Sequence, residues 1–191
     1  GTGLAGLSAA SVISPMLICF LDINPYHAVG VALASDVLAS AISAYTYYKN
    51  KNIDLKHGIY MLVSVLLFTM IGSYIASLVP QTFMGNMSVY VTMFLGIKFI
   101  VKPVMQPKES LKTKSERERI IQSILCGMVI GFICGFIGAG GGMMMLMILT
   151  MVIGYELKVA VGTSVFIMTF TAFTGAVSHF MIGGLPDLTA L

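Results

Sequence analysis

Residues 127–179 read GMVIGFICGFIGAGGGMMMLMILTMVIGYELKVAVGTSVFIMTFTAFTGAVSH. Two apolar segments lie here, and the first is interrupted by Gly138-Ala139-Gly140-Gly141-Gly142. Four glycines in five residues, inside an uncharged run, mark backbone that is not obliged to be helical. In hydrocarbon such backbone survives only where protein covers it or where it lines a polar cavity. The second segment opens on Gly162-Thr163-Ser164 and carries hydroxyls to its far end. Together the two read as half of a substrate pathway.

Composition agrees. The 191 residues are 57% hydrophobic and 10% charged, against about 25% charged in a soluble domain. This is an integral membrane protein of the all-α class. No charge occurs between Lys56 and Lys98, or between Arg119 and Glu156, and each gap exceeds one crossing of about 20 residues. The first gap is read as two spans around Val79-Pro80-Gln81, the second as one long Gly-interrupted span. The net charge of +3 is no nucleic-acid signature, because the basic residues flank membrane segments. Cys19, Cys126 and Cys134 sit in apolar segments without ligand spacing, so neither a disulfide framework nor a metal site is expected. No cofactor is implied, and the start, Gly-Thr-Gly, carries no signal-peptide pattern.

About six spanning or re-entrant segments follow: Gly3–Leu21, Tyr26–Tyr48, Gly58–Val79, Met84–Val101, a fifth ending near Gly154, and Glu156–Ile182. Asp22-Ile23-Asn24-Pro25 makes the first turn, and Ser115-Glu116-Arg117-Glu118 fits a capping box that starts the fifth segment. Loop 49–57 carries three lysines, and loop 102–119 carries Lys102, Lys108, Lys112, Lys114, Arg117 and Arg119. Two spans separate these loops, so they share a side, and an excess of Lys and Arg makes that side cytoplasmic. Lys158 is the basic residue this topology puts on the other side.

A shift of 132 residues, Gly30 onto Gly162, reveals an internal repeat. Ala28-Val29-Gly30 then matches Ala160-Val161-Gly162, Ser8-Ala9-Ala10 falls on Gly140-Gly141-Gly142, and Tyr47 on His179. The chain divides into a first membrane repeat (1–102), a cytoplasmic basic loop (103–119) and a second repeat (120–191). With four segments per unit the copies are expected to be parallel, the second incomplete after two. Such duplicated halves commonly place a transport site between them.

The runs Gly135-Phe-Ile-Gly138-Ala-Gly140-Gly141-Gly142, Ala160-Val161-Gly162-Thr163-Ser164 and Gly175-Ala-Val-Ser178-His179 resemble the sulfite exporter TauE/SafE family. Met147 stands where that pattern usually has Pro, which Pro15 keeps in the first repeat; the first repeat also lacks the Gly triplet. The resemblance implies a multi-spanning permease for sulfur-containing anions such as sulfite or organosulfonates. It also implies about eight segments, two of them beyond this C-terminus.

Each candidate residue has a plainer alternative. Gly138, Gly140, Gly141 and Gly142 could present free N–H groups to an anion where the helix resumes, without a formal cation at mid-membrane. Gly127, Gly131 and Gly135 instead form a small-xxx-small packing ridge. Thr163 and Ser164, with Ser8 from the first half, could donate to sulfonate oxygens; hydroxyls in helices also bond back to their own carbonyls. Asp36 is a carboxylate well inside a span, and His179 lies near a span end; both are proton-coupling candidates. Asp36 could equally fix helix contacts, and His179 could be an interfacial residue with one hydrogen bond. Met143-Met144-Met145 invites copper(I), but consecutive residues diverge by about 100° around a helix and cannot converge on one ion.

The expected function is therefore transport of a small sulfur oxyanion or organosulfonate by alternating access, with the bilayer as the other partner. Proton coupling and a homo-oligomer stay open. A rival, an intramembrane hydrolase using Ser164 and His179, fails on spacing: 15 residues along one helix is about 22 Å. A second rival, an assembly protein that moves nothing, has no need of an interrupted span or a buried Asp36.

Overall fold

The computed structural model describes residues 8, 10–101, 116–137 and 141–183. Their regular structure is helical throughout: α1 (Ala10–Leu21), α2 (Pro25–Lys49), α3 (Leu55–Leu78), α4 (Gln81–Val101), α5 (Glu116–Ile137), α6 (Gly141–Ile148) and α7 (Leu157–Gly183), with a π-helical turn, Leu149–Ile153, continuing α6. Four of these, α2, α3, α5 and α7, are long and apolar enough to cross a membrane. The apolar stretches of α1, α4 and α6 with its π turn are shorter.

Local chemistry sets the boundaries. Pro25 opens α2 because its fixed φ suits a first helical position, and the Asn24 side chain accepts the Tyr26 N–H at 2.9 Å. Asp54 caps α3 by accepting the His57 N–H at 3.3 Å. Gly154, at φ 84°, closes the π turn in the left-handed region that favours glycine.

The closest helix-to-helix contact joins α3 and α5, which run parallel. A Cβ on Gly127 would stand 2.9 Å from the Met61 carbonyl oxygen, on Gly131 2.4 Å from that of Val65, and on Gly135 2.1 Å from that of Thr69. Only glycine lets the two backbones approach this closely, so the expected packing ridge is one. An ion pair between Lys56 and Glu116 brings the starts of both helices to one end, called here the basic end.

Helices α2 and α7 also pack closely, but antiparallel. Gly30 faces His179 and Phe180, Gly175 faces Leu33, and Gly162 faces Tyr47 and the Asn52 carbonyl. This corrects the expected topology. The fifth segment is not one interrupted span: α5 is a helix of 22 residues, long and apolar enough to cross a membrane, and α6 then runs back. Gly141 lies on Cys134 near the far end of α5, whereas Tyr155, just after the π turn, bonds to Asp54 at the basic end. The extra short pass reverses α7. Thr163, Ser164 and Lys158 therefore belong to the basic end, and His179 to the opposite one. The paired helices α2 and α7 are antiparallel, not parallel as expected.

Two outcomes test this arrangement. With the native cysteines replaced, Lys51→Cys and Lys158→Cys should react with an impermeant thiol reagent from the same side, and Asp22→Cys from the other. Labelling of position 158 together with position 22 would refute the direction of α7. Gly131→Ala should cost about 1–3 kcal/mol by overpacking. Gly96→Ala, where a Cβ meets nothing within 4 Å, should leave the unfolding midpoint in detergent nearly unchanged.

Candidate functional site

Three polar clusters lie along the bundle. At mid-height is Asp36, buried in α2, whose Oδ2 accepts the Ser8 hydroxyl at 2.6 Å. Thirteen residues separate it from Lys49, about 20 Å of helix, which places it well inside a hydrocarbon core of about 30 Å. Ala10, at the start of α1, shares a buried cluster with Leu33, Cys134 and Ala172. A Cβ on Gly141, at the start of α6, would lie 3.1 Å from the Cys134 Sγ. The N-termini of the two short helices thus meet the same wall. From it α1 runs to the end opposite the basic one and α6 toward the basic end. Gly142 is buried beside Gly141, and the Ser14 hydroxyl on α1 is fully buried with no partner among the described residues. Gly138 and Gly140 lie outside the described residues.

Farther from the basic end, His179 is buried against Tyr26, ring centroids 4.3 Å apart. Its Nε2 stands 2.9 Å from the Gly135 carbonyl oxygen. A carbonyl can only accept, so Nε2 carries the proton. The Ser73 hydroxyl reaches the same oxygen at 3.4 Å. This histidine ties α7 to the C-terminal end of α5; it is buried and not interfacial, although the one hydrogen bond of its plainer reading is present.

The basic end is closed by a cluster centred on Asp54. Its Oδ2 accepts the Tyr155 hydroxyl at 2.6 Å and faces His57 Nδ1 at 2.9 Å. Its backbone N–H donates to Thr163 Oγ1 at 3.1 Å. The turn between α2 and α3 is thereby pinned to the π turn and to α7. Burial alone would raise the Asp54 carboxyl, but the bonds from Tyr155 and His57 outweigh it and hold the group below its ordinary range. Burial, and then the hydrogen bond to Asp54 and its charge, push the Tyr155 hydroxyl upward.

The sequence candidates therefore separate. Ser8, Asp36, Gly141 and Gly142 converge at mid-height. Thr163 is a tether at the basic end, and the Ser164 hydroxyl bonds back to the Val161 carbonyl at 2.9 Å, the plainer of its two readings. Ser164 and His179 lie toward opposite ends of α7, as their spacing required. Cys134, Tyr155 and His57 were missed. Asp54 had a signal, as a carboxylate one residue before a helix; its partners are distant in sequence and had none.

Residues 2–191 match the family model described as sulfite exporter TauE/SafE. The chain belongs to the TauE/SafE family. It is similar to the probable membrane transporter protein YunE of Bacillus subtilis (strain 168), 27% identical over 98% of this chain and 76% of that protein. It is also similar to the probable membrane transporter protein MJ0441 of Methanocaldococcus jannaschii, 30% identical over 92% of this chain and 66% of the relative. No solved structure gives a significant match. As a TauE/SafE protein the chain is a multi-pass membrane transporter, and the family is not one of enzymes.

Removing the Tyr155 hydroxyl tests the basic-end cluster. A carboxylate held low stabilises the fold above its ordinary value, and that contribution is lost as pH falls through the lowered one. A tyrosine held high contributes below its ordinary value, and this is lost as pH rises through the raised one. Tyr155→Phe should therefore cost about 1–2 kcal/mol near neutral pH, and the deficit should fade below about pH 4. A deficit unchanged across that range would show that the ionised carboxylate contributes nothing.

Proposed function

We propose that this protein carries a small sulfur oxyanion or organosulfonate through a site at mid-height, between the N-termini of α1 and α6. The observation that carries this reading is the convergence of two short, oppositely directed helices on the wall holding Asp36 and Cys134. Each N-terminus has main-chain N–H groups without helical acceptors and the positive end of a helix dipole. Such groups attract an oxyanion without holding it as a lysine would, which suits a carrier that must also release. When Asp36 is protonated it can donate to Ser8 Oγ instead of accepting from it, which frees the Ser8 hydroxyl hydrogen for the anion. The sulfur chemistry rests on the family description.

Duplication accounts for the pairing. Shifting α1 (Ala10–Leu21) by 132 residues gives 142–153, the span of α6 and its π turn, and shifting α2 (Pro25–Lys49) gives 157–181, within α7. The contacts obey the same shift: a Cβ on Gly30 meets the His179 Cβ at 3.3 Å, and one on Gly162 meets the Tyr47 Cβ at 3.1 Å. Because α2 and α7 are antiparallel, the duplicated units are inverted across the membrane plane. Inverted repeats supply alternating access by rocking one unit against the other. In the conformation described, the Asp54–Tyr155–Thr163 cluster shuts the basic end. That end faces the cytoplasm, and Lys158 there adds to the asymmetry of Lys49, Lys51 and Lys56.

Asp36 is the coupling group. A carboxylate beside an anion site at mid-membrane repels the substrate when ionised, so protonation and anion binding favour each other. His179, committed to the Gly135 carbonyl, positions helices instead.

Flux in proteoliposomes with an imposed pH gradient decides the matter, comparing sulfite, sulfoacetate, taurine and sulfate. Saturable uptake of one sulfur anion is expected. Ser8→Ala should reduce it about tenfold, through the loss of one charge-assisted bond. Asp36→Asn should abolish its dependence on the gradient. Absence of flux for every anion, in both directions, would overturn the sulfur-anion assignment. A pH dependence that survives Asp36→Asn would remove that residue from coupling.

A further inference from the structure

The outer face of the α2–α7 pair carries an amphipathic cleft at the basic end. Its membrane-level part is an almost wholly apolar groove of about 260 Å³, walled by Tyr45 and Tyr48 from α2 and by Phe166 and Phe170 from α7. A second cavity, of about 380 Å³, is lined by Tyr48, Lys49, Lys51 and Ile53. Tyr48 lines both, so the apolar groove and the lysine-lined cavity are neighbours across one side chain. The apolar part lies along the helices and the cationic part at their end. Tyr45 and Phe170 remain exposed.

The turn after α2 is built to hold the lysines there. Lys51 has φ 57°, in the left-handed region, and its N–H donates to the Tyr48 carbonyl at 3.0 Å. The next N–H, of Asn52, donates to the Tyr47 carbonyl, also at 3.0 Å. The chain is thus folded back over the helix end. Neither Lys49 nor Lys51 meets a carboxylate among the described residues, whereas Lys56 nearby is spent on Glu116.

We infer that this cleft is a binding site for one anionic phospholipid of the leaflet at the basic end. An acyl chain fills the groove between α2 and α7, and the headgroup phosphate lies between Lys49 and Lys51. Lysines at a helix end extend toward the headgroup level while their stems stay on apolar surface, and cationic side chains there favour anionic over zwitterionic lipid. The Tyr48 ring sits at the boundary, where an aromatic with a polar tip is most stable. A zwitterionic lipid would fit the groove equally well, so the headgroup is where selectivity arises. The inference is independent of the transport site, which lies deeper and on the inner side of the same helix pair.

The chain contains no tryptophan, which makes a clean measurement available. Phe170→Trp places a single emitter in the groove wall and leaves Tyr48 and both lysines untouched. The full chain is reconstituted in phosphatidylcholine vesicles containing increasing fractions of phosphatidylglycerol with brominated acyl chains. A parallel series uses brominated phosphatidylcholine. Half-quenching by the brominated phosphatidylglycerol is expected at about a tenfold lower fraction. That difference should vanish in a Lys49→Gln/Lys51→Asn background, in which the exposed turn keeps its fold. Equal quenching by the two lipids would overturn the site, leaving ordinary boundary lipid. Quenching by neither would show that protein covers the groove, in another copy or another helix, and would also overturn it. A preference that survives the double substitution would remove the lysines, and with them the proposed recognition.

Discussion

The close approach of α5 to α3 is the constraint on which the rest of the bundle hangs. Three glycines one helical turn apart bring the α5 backbone against the carbonyls of Met61, Val65 and Thr69. No side chain separates the helices there, so their relative height is fixed within narrow limits. That height presents the Gly135 carbonyl to His179 and Ser73. It also sets Cys134 at the level where Gly141 and the cluster around Ala10 meet it. Both short helices take their position from this contact, although neither contributes to it.

Much of the fold could be read before any coordinates. The uncharged runs gave the membrane class, and the spacing of Gly127, Gly131 and Gly135 gave the ridge. Asn24-Pro25 marked a helix start that the structure places there. The direction of α7 could not be read from the Gly-rich break, because a break in line and a break at a reversal have the same composition. Periodicity is equally silent, since the residues on either side are apolar on most faces. One signal did point the right way. Lys158 was the exception to the charge asymmetry, and an exception of that kind argues for one more crossing before it.

The site was legible in part for a related reason. Asp36 was named as a carboxylate well inside a span and Ser8 from its place opposite Gly140 in the repeat, and they meet. Thr163 was named from its place after a glycine, which the structure explains differently. Gly162 is small because the Asn52 carbonyl would lie 2.0 Å from a Cβ there, and Thr163 then accepts the Asp54 N–H. Both residues serve the joint between α7 and the turn before α3. A polar residue beside a glycine in a span therefore has two explanations, and only the location of the partner separates them. For Tyr155 and Asp54, 101 residues apart, no local pattern could have joined them.

The shortness of α1 and of α6 has an electrical consequence. Twelve residues of α1 rise about 18 Å, roughly half of a bilayer with its interfaces. A charge held where both helices begin has crossed about half of the membrane potential from either side. One elementary charge across the whole membrane is worth about 2.3 kcal/mol per 100 mV, so each half-step carries about 1.1. For an anion bound there without a compensating proton, occupancy would itself be voltage-dependent, from both faces and to nearly the same extent. A resting potential would weight loading and unloading of an anion there almost symmetrically, instead of concentrating its whole effect in one step.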